Sequence, residues 1–581
     1  MNIKQLTAEY INQVIQSEDF TKDAICDMLE YPPDIEMGDL AFPCFRLSKT
    51  LRKAPPAIAN DIKASLENLE GFGEKFKSCE TAGGYLNFYL NDAFYGQHIA
   101  ADVFGQKDMY GSSKAGEGKT AVIDYSSPNM SKPLSVAHLR STNIGNAIKK
   151  IHQFRGYKTV AINYIGDWGT PYGKMITAYK LWCNDISEIE EKGVYKLLEL
   201  YVRFGVEAET NDSLNDDARE WFAKLEQGDE EAVTLWKKFV EVSVGELKRL
   251  CDILGIEFDS YDGESFFSDK MDAVVEELKQ KNLLKLDQGA QIVDLSEYNM
   301  PPCLILRSNG ATLYPTRDIA SALYRKKTYN FDKNIYVTDM RQSLHFAQWI
   351  KVVELMGYEW AKDCINVPFG IMNFGGQVMA TRTGNIALLD DLLKLAVEKV
   401  KAVMEEKSPG LSSEEKNGIA EKVGVGAVMF SDLSSARIKD VDFNWEDALN
   451  FNGNSGPYVQ YTYARICGVL DKAGGGAACA PPQRLSAQDV IISNNFEREI
   501  IKLLMQFPEK VQTAEREYEP SVICRFLLDI SAAFNRFYHE SPILKAESEE
   551  IKKSRLALCE AAKYAVGNGL WLIGLEKTNK I

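Results

Sequence analysis

The order strand, loop, helix, strand between residues 121 and 169 constrains this chain most. AVIDYS (121–126) is a short apolar run long enough for a buried strand. A loop containing Pro128 and Pro133 follows, then a helix beginning near His138, then TVAINYIGDWG as a second strand and turn. That is βαβ order. It predicts a parallel sheet covered by helices, with ligands gathered at the carboxyl ends of the strands. A mostly helical segment, about 175–290, interrupts the sheet, and the strand pattern returns in CLILRSNGATLYPTRDIA, NIYVTD and CINVPFGIM.

The rest of the chain arranges itself around that core. At 581 residues it is too long for one hydrophobic core, and three or four domains are expected. Residues 1–112 form a first unit: Ile3, Leu6, Tyr10, Ile11 and Val14 fall at helical spacing, and TAGGYLNFYLND reads as a strand after a Gly-Gly turn. GSSKAGEGKT (111–120) has the composition of a linker. The second unit, 113–390, holds the parallel sheet and its insertion. The third, 391–581, reads as helix after helix, broken at DKAGGGAACAPP (471–482), which is expected to be a mobile loop.

Composition excludes several classes. No run of eighteen apolar residues occurs, so no membrane span is expected, and the N-terminus lacks a continuous signal-peptide core. The 11 cysteines are scattered, odd in number and without a CxxC pair. They argue for reduced thiols in the cytoplasm and against a structural zinc site. A net charge of −16 opposes a nucleic-acid partner at long range. Basic residues concentrated on one face would weaken that objection, because fields are screened over roughly 8 Å.

The chemistry concentrates in IDYSSPNMSKPLSVAHLRSTNIGNAI (123–148). It supplies Asp124 at a strand end, Asn129 and Lys132 in the loop, and His138 at a helix start. Helix N-termini carry unpaired N–H groups and partial positive charge, so they receive phosphates well. The bland alternative is a capped helix with His138 simply packed. Asp124 resists such a reading, since a buried carboxylate must meet a cation, a metal or a helix terminus.

SSPNxxKPLxxxHLRSTxIGNAI resembles the first nucleotide-binding motif of the arginyl-tRNA synthetases, class I aminoacyl-tRNA synthetases. The resemblance is densest at 122–175, 305–348 and 366–391 and runs over nearly the whole chain. It implies a Rossmann-like α/β catalytic domain, a small α+β N-terminal domain that contacts tRNA, and an α-helical C-terminal anticodon-binding domain. It implies catalytic roles for Lys132, His138 and Arg382, and ATP contacts from Lys132, Ser135, His138, Gly145 and His345, the last near adenine. Ser135 stands where the family usually has its first motif histidine, and its neutral hydroxyl reaches less far. FGGQVMATRTGN (374–385) stands where the second motif lysines are usual, and only Arg382 carries charge there. Lys132, just before the first motif, is positioned to compensate.

The same resemblance implies that L-arginine is the amino acid. A guanidinium brings five donors and a permanent charge, so it needs carboxylates and planar acceptors. Asp124 and Asp318 are expected to pair with it. Tyr314, read within a strand, lines the pocket, and Asn129 and Gln342 contact the amino-acid end or orient the side chain. For Asp318 the plain alternative is a helix cap. The implied reaction uses ATP and Mg2+, has cognate tRNA(Arg) as partner, and commonly needs tRNA bound before the first step; a monomer is expected. In GPYVQYTYARI (456–466), Tyr458, Tyr461 and Arg465 share a helical face suited to stacking RNA bases, with helix-packing core the alternative for the tyrosines. FNRFY (534–538) and GLWLIGL (569–575) match the same helical domain, and Lys49, Arg52 and Lys53 are candidate phosphate contacts in the first unit. Two competing readings stand beside it: a catalytically weak tRNA- or arginine-binding regulator, motivated by the departures, and a class I synthetase for another amino acid, since two pocket carboxylates suit lysine almost as well.

Overall fold

The computed structural model describes residues 3–581 other than 16, 18, 131, 309, 311, 375–387, 409 and 475–484. In the first unit the helix Ile3–Ile15 buries Ile3, Leu6 and Ile11, as its spacing predicts, and Tyr10 lies edge-on to Phe72 and Phe76. It packs beside a three-stranded antiparallel sheet of order β1-β3-β2, formed by β1 (Leu40–Pro43), β2 (Phe76–Ala82) and β3 (Tyr85–Leu90). Gly83 and Gly84, at φ 57° and 96°, make the two-residue turn between β2 and β3 that demands left-handed backbone at both positions. The stretch read as a linker is instead a run of turns fastened to the catalytic unit. Ser113 N–H donates to Phe154 O at 3.2 Å and Gly116 N–H to Arg155 O at 2.9 Å.

The parallel sheet has the order β10-β9-β4-β5, with β4 (Thr120–Asp124), β5 (Lys158–Ile162), β9 (Lys333–Asp339) and β10 (Cys364–Phe369) all parallel. The chain leaves β4 through the helix Val136–Phe154 to β5 on one side. It returns much later to β9 and β10 on the other. The direction of winding therefore reverses between β4 and β9, and the crevice beyond their carboxyl ends is where such sheets bind ligands.

The insertion is largely helical, with helices Thr170–Trp182, Ile186–Lys192, Val194–Thr210, Ser213–Glu226 and Glu230–Ile253. One expectation fails here. CLIL is not part of the parallel sheet: β8 (Cys303–Leu306) joins β6 (Leu284–Asp287) and β7 (Ala290–Val293) in a separate antiparallel sheet of order β6-β7-β8. Its residues alternate between buried and more exposed, as a half-solvated antiparallel strand allows, whereas the central residues of β9 are uniformly buried. Tyr314 likewise lies in no strand. It opens the helix Tyr314–Tyr329, with Pro315 in the first turn where its missing N–H costs nothing.

Beyond residue 388 helices dominate: Leu389–Lys407, Ser413–Leu433, Gly456–Ala473, Asn495–Glu517, Ser521–Glu540 and Glu549–Leu572. One strand interrupts them, β12 (Val441–Phe443), which pairs in parallel with β11 (Met372–Phe374). Of the expected break at 471–482, Asp471–Ala473 complete a helix and 475–482 lie outside the described residues.

Candidate active site

The loop leaving β4 is held in an unusual shape. Ser126 and Ser127 have φ of 74° and 47°, left-handed conformations that cost a residue with a Cβ about 1–3 kcal/mol each. Neighbouring elements hold it there. Ser126 N–H donates to Ser141 Oγ at 3.0 Å, and Ser127 N–H to Asn163 Oδ1 at 3.1 Å. The loop then runs beside the turn after β5, with Gly166 N–H donating to Pro128 O and Met130 N–H to Gly166 O. Asn129 is exposed at this point.

Asp124 is buried, and the cation it meets is internal. Arg325, from the helix Tyr314–Tyr329, places Nη2 2.7 Å from Asp124 Oδ2. The ring centroids of Tyr164 and Tyr336 lie 5.6 and 5.3 Å from the guanidinium, and Ser127 Oγ donates to Asp124 Oδ1 at 2.8 Å. From sequence, Asp124 is expected to meet a substrate guanidinium. The buried charge is already answered by a residue two hundred positions away, which no local pattern could reveal.

His138 sits in the first turn of the helix Val136–Phe154, whose N-cap is Ser135. Ser135 N–H donates to His138 Nδ1 at 3.0 Å, and Ser135 Oγ lies 3.0 Å from the same nitrogen. Burial, helped by the charge of Lys132, pushes the imidazole down to about 4, so it is neutral at physiological pH. With Nδ1 accepting, the proton is on Nε2, which is free to donate to an oxyanion. Ser135, expected from sequence at the ATP phosphates, thus also contacts His138. Lys132 lies over the ring of Tyr201, 4.3 Å from its centroid.

A second group of charges lies around the start of the helix Tyr314–Tyr329. Asp318 is no cap, because the helix begins four residues earlier; its Oδ2 lies 2.5 Å from His345 Nε2. The residues expected at arginine and at adenine are therefore direct neighbours. Arg317 Nη1 pairs with Glu264 Oε2 at 3.0 Å. Burial lifts the Glu264 carboxyl to about 7; Arg317 opposes the rise, while the charges of Asp318 and Asp167 add to it. Asp167 accepts from Ser265 N–H at 2.8 Å and from Ser265 Oγ at 2.5 Å. The Tyr164 hydroxyl is buried with no partner among the described residues.

The remaining expected residues divide. Gln342 is exposed at the carboxyl end of β9, where it precedes the helix Ser343–Leu355. Tyr314 is 63% exposed, with its ring centroid 5.8 Å from the Arg317 guanidinium. Gly145, expected at ATP, is buried mid-helix; a Cβ there would fall 2.2 Å from Tyr125, so its role is close packing of helix against loop. Arg382 and nearly all of the second motif stretch lie outside the described residues. Sequence reasoning missed Tyr201, Glu264, Arg317 and Arg325. Glu264 in DGESFF and Tyr201 in LELYVRF belong to the insertion and carry no motif. Only the buried charge of Arg325, a cation on the apolar side of a helix, left a readable trace.

A parallel sheet reversing beside a helix that starts with a neutral histidine, next to a loop lysine, defines the catalytic core of a class I tRNA synthetase. The family model for class I (R) tRNA synthetases, catalytic domain, matches residues 100–445. The models for the arginyl tRNA synthetase N terminal domain and the DALR anticodon binding domain match residues 2–90 and 459–581. Relatives named arginine–tRNA ligase from Alkaliphilus metalliredigens and Clostridium perfringens are 48% and 44% identical, each over 100% of both chains. The arginyl-tRNA synthetase structure from Thermus thermophilus shares the fold, with a TM-score of 0.84 at 24% identity over 100% of both chains. The chain belongs to the arginine–tRNA ligase family.

Proposed function

We propose that this chain joins L-arginine to tRNA(Arg) in two steps at the β4/β9 crevice. The arginine carboxylate attacks the α-phosphate of ATP, pyrophosphate leaves, and arginyl-adenylate forms. A terminal ribose hydroxyl of tRNA then attacks the adenylate carbonyl, and AMP leaves. The first step needs charge stabilisation and alignment more than covalent help. His138 donates from Nε2, Lys132 supplies a mobile charge, and Arg382 completes the set. Among the described residues no group of His, Cys, Asp or Glu is arranged to hold a metal. Mg2+ is assigned to the substrate, as the counter-ion of the ATP phosphates.

The observation that carries arginine as the amino acid is a pair of half-buried carboxylates with a guanidinium and an imidazole beside them. Asp318 and Glu264 stand together with Arg317 and His345 as their partners. A substrate guanidinium can share or replace those partners, whereas a neutral amino acid entering there cannot. Asp124 acts through Arg325, and Asn129, Tyr314 and Gln342, all at the crevice or its rim, keep their proposed contacts with arginine.

Two surfaces support tRNA as partner despite the acidic total. On the helix Gly456–Ala473, Arg465 lies between the rings of Tyr461 and Tyr538, 4.8 and 5.1 Å from their centroids, beside a cavity of about 600 Å³ that Lys472 and Lys580 also line. Aromatic and Arg planes of this kind stack single-stranded bases. In the first unit Phe45, Arg46, Lys49, Arg52 and Lys53 are exposed together, with Phe45 edge-on to Tyr85. We assign the units 1–112, 113–390 and 391–581 to tRNA contact, catalysis and anticodon binding. Every cysteine among the described residues is free, and none of their helices is long and apolar enough to cross a membrane. The free thiols support the cytoplasm, and the chain is taken to act as a monomer.

The test is charging of tRNA with labelled arginine, ATP and magnesium, beside a Lys132→Ala control. Charging should occur with arginine and not lysine, and fall about 100-fold in the variant. Binding of tRNA without any charging would establish the regulator reading instead.

A further inference from the structure

Tyr201 lies on the helix Val194–Thr210, far in sequence from both nucleotide motifs, yet its ring carries the ammonium of Lys132 at 4.3 Å. Lysine has four rotors and loses about 2 kcal/mol of rotamer entropy when fixed. A loop lysine without a support would therefore spend most of its time away from the phosphates. The aromatic face of Tyr201 is the contact that holds the Lys132 ammonium. The ammonium held there still acts on His138, since its charge helps to depress that imidazole. It is held at the site, not out in solvent.

We infer that Tyr201 is a positioning residue for Lys132, keeping its ammonium at the ATP phosphates before the substrate arrives. The choice of an aromatic ring has a chemical reason. A carboxylate would hold the lysine more strongly but would neutralise it and repel the triphosphate. A ring face attracts the cation through its quadrupole and leaves the full charge available. The ring also belongs to the insertion, so the inserted helices contribute to nucleotide binding although no motif lies in them. This inference rests on the phosphate role given to Lys132 above.

The experiment measures aminoacylation at varied ATP, with saturating arginine and tRNA, for Lys132→Ala, Tyr201→Phe, Tyr201→Leu and the double variant Lys132→Ala/Tyr201→Leu. Tyr201→Phe keeps the ring and should match the parent. Tyr201→Leu should lower kcat/KM for ATP by about threefold to tenfold, mostly through KM, with KM for arginine unchanged. In the Lys132→Ala background the same change should have no further effect. A Tyr201→Leu enzyme as active as the parent, while Lys132→Ala is impaired, overturns the role of Tyr201 and leaves that of Lys132 standing. A silent Lys132→Ala overturns the phosphate role itself. Equal losses from Tyr201→Phe and Tyr201→Leu, or from Tyr201→Leu in both backgrounds, would mean that the tyrosine acts on the fold and not on the lysine. Thermal unfolding of each variant guards the comparison.

Discussion

Glu264 is the residue whose behaviour separates this site from an ordinary charged crevice. Its carboxyl is raised from 4.5 to about 7, first by burial and then by Asp318 and Asp167, against the pull of Arg317. A carboxyl raised in the fold favours its protonated form there. Its contribution to stability is therefore full below pH 4.5 and is lost as pH rises through 7. Ligand binding should run the other way, because a guanidinium needs the ionised carboxylate. KM for arginine should fall as pH rises through about 7 in the parent and stay flat in Glu264→Gln. At pH 8 that variant should show KM for arginine raised roughly 10- to 100-fold, since a charged hydrogen bond is lost. Steady-state kinetics and thermal unfolding across the same pH range check both signs. Asp124 makes a different prediction. Asp124→Asn leaves the Arg325 guanidinium buried without its countercharge, at a cost of about 3–5 kcal/mol. A melting temperature unchanged by Asp124→Asn would contradict that assignment.

At the scale of elements, the helix Val136–Phe154 links the site to the helical unit. Its first turn carries His138, and its second turn is anchored by Arg140, which is fully buried. Arg140 donates to Asp432 Oδ1 at 2.9 Å and to the carbonyls of Arg437 and Lys439, each at 2.8 Å. Asn143 Nδ2 donates to Asp432 Oδ2 and to Met429 O. The orientation of His138 thus depends on the helix Ser413–Leu433. Removing only one partner, as in Asp432→Ala, should cost about 3–5 kcal/mol, whereas an apolar pair of similar volume at both positions should be far milder. Gly145→Ala tests the opposite face. The added methyl meets the Tyr125 ring, and overpacking of about 1–3 kcal/mol should shift the helix and lower kcat more than it raises KM for ATP.

Across the whole molecule, the helix Asn495–Glu517 connects the other two units. Near its start Arg498 pairs with Asp39 at 2.7 Å and with Asp92, and further on Glu509 pairs with Lys4 at 2.7 Å, all in the N-terminal unit. At its far end Glu515 meets Lys333 at 2.9 Å, at the start of β9, and Arg155 at 3.2 Å. The N-terminal unit therefore docks on the helical unit through ion pairs centred on the buried Asp39. Arg498→Ala strands Asp39, which is 1% exposed. It should loosen the N-terminal unit by about 3 kcal/mol, seen as an early unfolding step or faster proteolysis within it. KM for tRNA should rise while KM for ATP and arginine hold. An unchanged KM for tRNA would detach that unit from tRNA binding.

What could be read from the chain alone follows from how local each signal is. The βαβ order was legible because apolar periodicity and turn residues act over a few positions, and so was the Gly-Gly turn between β2 and β3. The first motif was legible because Asn129, Lys132, Ser135 and His138 serve one loop and one helix start. Sequence also carried the family, through matches spread over the whole length. The placement of β8 was not legible, because four apolar residues suit either kind of sheet until their partners are known. Nor were the partners of the charges. Asp124 with Arg325, Glu264 with Arg317, Asp318 with His345 and Lys132 with Tyr201 are contacts closed by the winding of the sheet and its insertion. A charge in a sequence states that it must be answered. Which residue answers it depends on distances of a few ångströms between segments up to two hundred residues apart, and those distances exist only once the chain has folded.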